Sequence, residues 1–148
     1  MKKTNAIEVK NLVKTYGDVY ALKNVDLNIS DGEYFVLLGP SGGGKTTLLR
    51  SIGGFIRPDS GSVAIKGKNV NDLPPDKRPT SMVFQGFALF PHMNVSENIG
   101  YGLKLQSIDK NIIEDKVNKM MNLVGLTNLH NRMPHELSGG QQQRVQLA

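Results

Sequence analysis

The run Gly39-Pro40-Ser41-Gly42-Gly43-Gly44-Lys45-Thr46 has the residue types and spacing to hold a chain of phosphates. A triphosphate needs many hydrogen-bond donors at close range. Glycines at 39, 42, 43 and 44 remove the Cβ atoms that would keep the backbone away, so successive amides can turn inward as an anion-binding nest. A helix starting near Lys45 adds unpaired amides and a partial positive charge at its N-terminus. Lys45 supplies a point charge for the β and γ phosphates, and the Thr46 hydroxyl is placed to bind Mg²⁺. Thr47 joins the nucleotide-binding set from the first helical turn. An apolar, strand-like run at 34–38 precedes the loop, and Thr47, Leu48, Leu49 and Arg50 open a helix after it. Strand, glycine loop and helix form the context in which G-x-x-x-x-G-K-[ST] binds a nucleoside triphosphate.

A second cluster, Leu137-Ser138-Gly139-Gly140-Gln141, leads into Gln142, Gln143, Arg144 and Val145. Ser138 is the natural N-cap of a helix starting there. Taken alone, this is equally a capped surface helix. Together with the glycine loop, it resembles the signature of ATP-binding cassette (ABC) proteins. The resemblance implies that Ser138, Gly139, Gly140 and Gln141 contact the γ-phosphate of ATP held by a second, head-to-tail subunit. Phe84-Gln85, ending a strand-like run at 81–84, is similar to the family's Q-loop, which implies that Gln85 approaches Mg²⁺ and the attacking water. Lys45 and Gln85 are thus the catalytic candidates, and Thr46 and Gln85 the metal candidates. Tyr16 matches the family's adenine-stacking aromatic, and its ring offers a π face to the base. A strand tyrosine with its hydroxyl in water is the other reading of Tyr16.

The resemblance runs from about Ile7 to the end. Residues 80–85, with Ala88-Leu89-Phe90-Pro91-His92-Met93, look like the importer subfamily serving polyamines, sugars and ferric iron. Pro134-His135-Glu136 and the glutamines 141–143 lean toward the polyamine branch. Gly86 and Gly53-Gly54 depart from the usual pattern, and Gly53 inside a helix costs up to about 1 kcal/mol relative to alanine. The implied fold is α/β: an antiparallel β part, a P-loop core with a parallel sheet, and a helical arm at about 87–137. All of 1–148 is then one partial ABC ATP-binding domain. The implied partners are a second ATP-binding subunit and transmembrane permease subunits, the latter met through about 86–104. Phe87, Leu89, Phe90 and Met93 fit such an interface, or they pack the arm's own core. The implied cofactors are ATP and Mg²⁺, and the implied location is peripheral, on the cytoplasmic face of the cell membrane.

The family's Walker B strand, D-loop and switch histidine have no counterpart in the 148 residues, so the sequence reads as an N-terminal fragment of an ABC ATPase. In the family, two strands lie between the P-loop strand and the Q-loop strand. Segments 34–38 and 81–84 are therefore not expected to pair with each other. Two functions stand: the ATPase subunit of an importer, or a truncated module that binds nucleotide without turning it over. On its own the fragment is expected to be inactive, and poorly soluble or partly molten. ABC proteins of translation or DNA repair lack this Q-loop and Phe-Pro-His pattern. The transported solute is set by other subunits.

Hydrophobic content of 39% and charged content of 21% describe a globular chain. There is no cysteine, which fits a reducing compartment. No apolar stretch reaches the ~18 residues of a membrane span. The net charge of +5 comes from scattered lysines, read as solvated faces and not a nucleic-acid surface. His92, His130 and His135 lack a third ligand at metal spacing and read as surface residues.

Positioning these groups requires a regular scaffold. Alternation predicts strands at 7–16 and 19–29, with a turn at Asp31-Gly32. A helix is expected at 45–53, a turn at 58–61, a strand at 62–66 and a loop at 71–79. A helix follows at about 96–105, with Ser96 as N-cap. The clearest helix is 110–124, with Ile113, Val117, Met120, Met121 and Val124 on one stripe.

Overall fold

The computed structural model describes residues 5–86 and 88–148. They form two compact units, the first running to Met82 and the second starting at Val83.

The first unit is built on an antiparallel hairpin. β1 (Asn5–Tyr16) and β2 (Val19–Ser30) are joined at Gly17-Asp18, where Gly17 has φ +57°. β3 (Ser60–Ile65) pairs with the other edge of β1, and β4 (Lys68–Asn69) with β3, giving the order β2-β1-β3-β4. The helix α1 (Lys45–Gly53) supplies Leu48 and Ile52 to a core with Val9, Leu12, Leu22, Val63, Ile65 and Val70. Alternation delivers Val63 and Ile65 to one face, and the bulge between Val9 and Leu12 brings both of those side chains into the same core. β1 and β2 carry bulges at Asn11 (φ +48°) and Asn24 (φ +49°), a conformation asparagine tolerates better than most residues.

Two expectations change here. Ser60 and Gly61 belong to β3 and not to a turn. Gly61 sits at φ +85° with its backbone pressed onto the Lys10 and Asn11 carbonyls, so a Cβ there would collide with both. A glycine that reads as a turn in sequence is here the seat for the β1 bulge. The expected core strands at 34–38 and 81–84 also do not form. Neither segment is a strand of the described sheet, in which every pairing is antiparallel. A strand exists only through its neighbours, and apolar content alone does not make one. Tyr34 and Leu38 are accordingly 93% and 89% exposed.

The second unit is helical. α2 (Val95–Leu105), α3 (Lys110–Leu123) and α4 (Gly139–Leu147) enclose Val95, Val117, Met121, Leu126, Leu137 and Val145. Val117 and Met121 of the α3 stripe are buried, with Ile113 and Val124 at its margin. α2 and α3 approach closely at Gly100, where a Cβ would lie 3.1 Å from Ile113 Cγ2 and 3.3 Å from Val117 Cγ2. α2 is capped by Asn94, not Ser96: the Asn94 side chain accepts from the Glu97 amide while the Glu97 carboxylate accepts from the Asn94 amide. This reciprocal cap satisfies two otherwise orphaned donors, which Ser96 inside the helix cannot do. Among the described residues no helix is long and apolar enough to cross a membrane.

Candidate functional site

The glycine loop passes from residue 39 through a turn at Ser41-Gly42 into α1. Its geometry is set from both ends. Gly44 is the N-cap of α1 at φ +78°, and a Cβ on it would collide with the Ala21 carbonyl oxygen of β2. Glycine is therefore required twice over at this position, by conformation and by contact. Gly43 donates to Pro40 O at 3.1 Å, and the first helical bond is Leu48 to Gly44 O at 2.8 Å. Among the described residues, the amides of Lys45, Thr46 and Thr47 meet no protein acceptor, and Gly44 offers no capping side chain. Three donors and the positive end of the helix thus face the loop. Lys45 Nζ donates to Gly39 O at 2.6 Å and Pro40 O at 2.7 Å, so the ammonium is folded back across the loop's own mouth. Ser41, Gly42 and Thr46 are exposed.

The far end of α1 is anchored by a residue that the sequence did not single out. Arg78 is 7% exposed. Its guanidinium donates to Ser51 O at 2.8 Å and Ile52 O at 2.9 Å, the C-terminal carbonyls of α1, and to Leu73 O at 2.8 Å. Burial pushes its pKa below the ordinary arginine value. A cation here complements the negative end of the helix dipole. Between Lys77 and Pro79 nothing in the sequence distinguishes it from a solvated charge. The Gly53 departure is also explained: a Cβ at Gly53 would lie 2.9 Å from Met82 Cε and 3.1 Å from Phe55 Cδ2, so glycine makes room for these neighbours.

Tyr16 closes β1 and is 53% exposed, opposite Val19 of β2. Gly44 abuts β2 at Ala21 and Leu22, two and three positions along the strand from Val19, the partner of Tyr16. Lys14 Nζ lies over the Tyr16 ring, 5.7 Å from its centroid. Asp59, in the turn before β3, accepts from Lys14 Nζ at 2.7 Å, from the Thr15 amide at 2.6 Å and from the Thr15 hydroxyl at 2.7 Å. These donors, Lys14 Nζ foremost, lower its pKa from 3.8 to about 2.

The remaining candidates lie in the second unit. Gln85 is exposed in a bend with Gly86. Ser138 is the N-cap of α4, as expected: its hydroxyl oxygen accepts from the Gln141 amide at 3.3 Å, and Gln141 Oε1 accepts from the Ser138 amide at 2.9 Å. Gly139 and Gly140 are exposed, and their amides meet no protein acceptor among the described residues. Of the surface set in the preceding segment, Leu89 packs on the core of the second unit. Phe90 packs against Tyr101 with ring centroids 4.5 Å apart and the planes tilted by 49°, and is held by Asn98, which both donates to and accepts from its backbone. Phe87 lies outside the described residues. His130 bonds Asn118 Oδ1 at 2.8 Å.

Comparison with known proteins decides what this arrangement belongs to. The ABC transporter family model matches residues 22–148. The chain belongs to the ABC transporter family. Spermidine/putrescine import ATP-binding proteins from Roseobacter denitrificans and Pseudomonas fluorescens are each 52% identical to it, over 144 and 147 residues. Each alignment covers 97% of this chain but only 40% and 41% of those proteins. The chain thus spans about two-fifths of the length of the curated relatives it matches. Among solved structures, the dimeric bacterial ABC transporter cassette MJ0796 is 37% identical, with a TM-score of 0.85 over 95% of this chain and 66% of that one. A post-hydrolysis form of the same cassette, bound to ADP and Pi, gives 36% identity and a TM-score of 0.86, over 95% of this chain and 67% of that one. The ABC-cassette version of the α/β P-loop fold is therefore the fold of this chain.

Proposed function

We propose that the protein containing this chain is the ATP-binding, ATP-hydrolysing subunit of an ABC importer that drives uptake of a polyamine. One observation carries the nucleotide-binding part: the unpaired amides of Lys45, Thr46 and Thr47, at a helix start where Gly44 leaves no room for a side chain. Such a donor cluster suits an anion, and with the glycine loop and Lys45 beside it, a polyphosphate. Lys45 would leave the Gly39 and Pro40 carbonyls to meet the β and γ phosphates. Gly39, Pro40, Ser41, Gly42, Gly43 and Gly44 form the rest of the cradle, and Tyr16 stacks on the adenine. Thr46, with Gln85, would hold a Mg²⁺ ion, which when bound neutralises charge on the phosphates. The donor set fits such a use, because Thr46 carries a hydroxyl and is exposed at the loop's end. The polyamine reading rests on the spermidine/putrescine names of relatives that are half identical in sequence.

Ser138, Gly139, Gly140 and Gln141 serve the site of a second ATP-binding subunit. The unpaired amides of Gly139 and Gly140 at the start of α4 support this, as does the dimeric form of the similar cassette. Residues 86–104 meet the permease, so the subunit sits peripherally on the cytoplasmic face of the membrane. Binding without turnover has no observation in its favour over the full cycle that the post-hydrolysis relative illustrates.

The test is uptake of labelled spermidine and putrescine by the assembled transporter. Lys45→Ala and Ser138→Arg should both reduce it to background. ATP binding to the isolated subunit should fall only in Lys45→Ala, because the Ser138 cluster acts on the opposite site. Equal loss of subunit affinity in both variants would overturn the shared-site reading. Wild-type uptake of neither polyamine would overturn the substrate class.

A further inference from the structure

We propose that Asp59 is a positioning residue for nucleobase recognition: its carboxylate finishes the β1 ladder just short of Tyr16 and fixes the ring against which the base stacks. The proposal rests on the stacking role given to Tyr16 above.

The argument begins with where β3 starts. β3 pairs with β1 as far as Ser60 opposite Val13, and the Asp59 amide donates to Val13 O at 2.9 Å. Alternate residues of a strand turn their amides to the same side, so the Thr15 amide faces β3 as Val13 does. No strand residue lies opposite Thr15, because β3 begins at Ser60 and Pro58 precedes Asp59. The Asp59 side chain takes the place of the missing strand. Oδ2 accepts from both the amide and the hydroxyl of Thr15, at 2.6 and 2.7 Å. Without it, the last three residues of β1 would be paired on the β2 side alone, and single-sided strand ends fray.

Oδ1 does a second job. It accepts from Lys14 Nζ at 2.7 Å, and that ammonium lies over the Tyr16 ring, 5.7 Å from the centroid. Lys14 and Tyr16 are two apart in a strand and so share a face. The cation is attracted to the ring's negative face and holds the ring from one side. Tyr16 is half exposed, so an aromatic ligand has ring surface left to cover. The lysine side chain is itself only 18% exposed, which marks it as packed in place and not a wandering surface charge. One carboxylate therefore orders the backbone leading to the ring and the cation beside it. The ligand class is a purine nucleotide held partly by its base, and what Asp59 adds is preference for a nucleotide over its bare phosphates.

That preference is the readout. Binding of Mg²⁺-ATP and of Mg²⁺-tripolyphosphate is measured by calorimetry for the wild-type protein, Tyr16→Ala, Asp59→Ala, Asp59→Asn and the Tyr16→Ala/Asp59→Ala pair. Stacking on an aromatic side chain sets the scale, and Tyr16→Ala should weaken ATP about tenfold with tripolyphosphate unchanged. Asp59→Ala should weaken ATP about fivefold with tripolyphosphate unchanged, and should add nothing to Tyr16→Ala in the double variant. If Asp59→Ala does not fold, Asp59→Asn decides by the same criteria, since it keeps the volume of the turn while releasing Lys14. An unchanged ATP affinity at position 59, an equal loss for both ligands, or full additivity with Tyr16→Ala would overturn the proposal. If Tyr16→Ala itself weakens both ligands equally, the stacking reading has failed instead.

Discussion

At the scale of single residues, the site depends on side chains that hold backbone in place as much as on those facing a ligand. In the proposed site Lys45 and Thr46 would belong to the second kind, while Arg78 and Asp59 hold backbone in place. Asp59 also gives the chain an acid sensitivity of known direction. Its carboxyl titrates near 2 in the folded protein against 3.8 as a free side chain. A pKa lowered by folding stabilises the folded form fully above about pH 4, and that contribution is lost as pH falls toward about 2. Asp59→Asn should therefore lower stability at neutral pH and flatten the pH dependence across that window, as followed by thermal melts at fixed ionic strength. A parallel downward offset at every pH, with the acid limb unchanged, would show that Asp59 keeps its ordinary titration. The glycine loop was legible in the sequence as a motif, and Gly42 and Gly44 do take the left-handed backbone that its turn needs; the ligand roles of its residues belong to the proposed function. Arg78 was not legible, because its role exists only once residues 71–73 and the end of α1 come together around it.

At the scale of elements, helix ends matter more than helix interiors. α1 begins on Gly44, which offers no side-chain cap, whereas α2, α3 and α4 begin on Asn94, Asp109 and Ser138, whose side chains each accept a backbone amide. α2 gives a direct check. Replacing the reciprocal cap with Asn94→Ala should cost about 1 kcal/mol in urea unfolding, and Ser96→Ala less than about 0.5 kcal/mol. Equal costs would return the cap to Ser96. The misplacement in sequence has a plain cause: serine and asparagine are both good caps, and only the Glu97 three residues after Asn94 separates them. The helix pattern itself was readable, since the stripe from Ile113 to Met121 repeats at the helical period and is what the core of the second unit collects. The hairpin was readable for the same reason at period two. β4 was not, because Lys68 and Asn69 carry no alternation and pair only through their place after the Lys66-Gly67 turn.

At the scale of the whole molecule, the two units differ in what fixes their backbones. The first rests on one hairpin with β3 on its free edge, the second on caps and helix contacts. Segment 34–38 leads into the phosphate loop, yet its amides have no protein acceptor among the described residues. Hydrogen exchange should find these amides fast and the paired amides of β1 and β2 slow. Slow exchange at 34–38 would mean that the segment is paired in solution. It read as a strand because Tyr34, Phe35, Val36, Leu37 and Leu38 have the right propensity, and propensity says nothing about which neighbour is available. The same segment has a consequence for how the chain behaves in a tube. It is uncharged, free of proline, rich in strand-forming side chains and largely uncovered, with Tyr34 and Leu38 almost wholly in water. Those are the attributes of a sticky edge, and two copies meeting there can zip into intermolecular sheet. The concentration at which this chain stays monodisperse is then set by five residues and not by its favourable net charge. A single lysine at position 36 should raise that ceiling while leaving the hairpin core untouched.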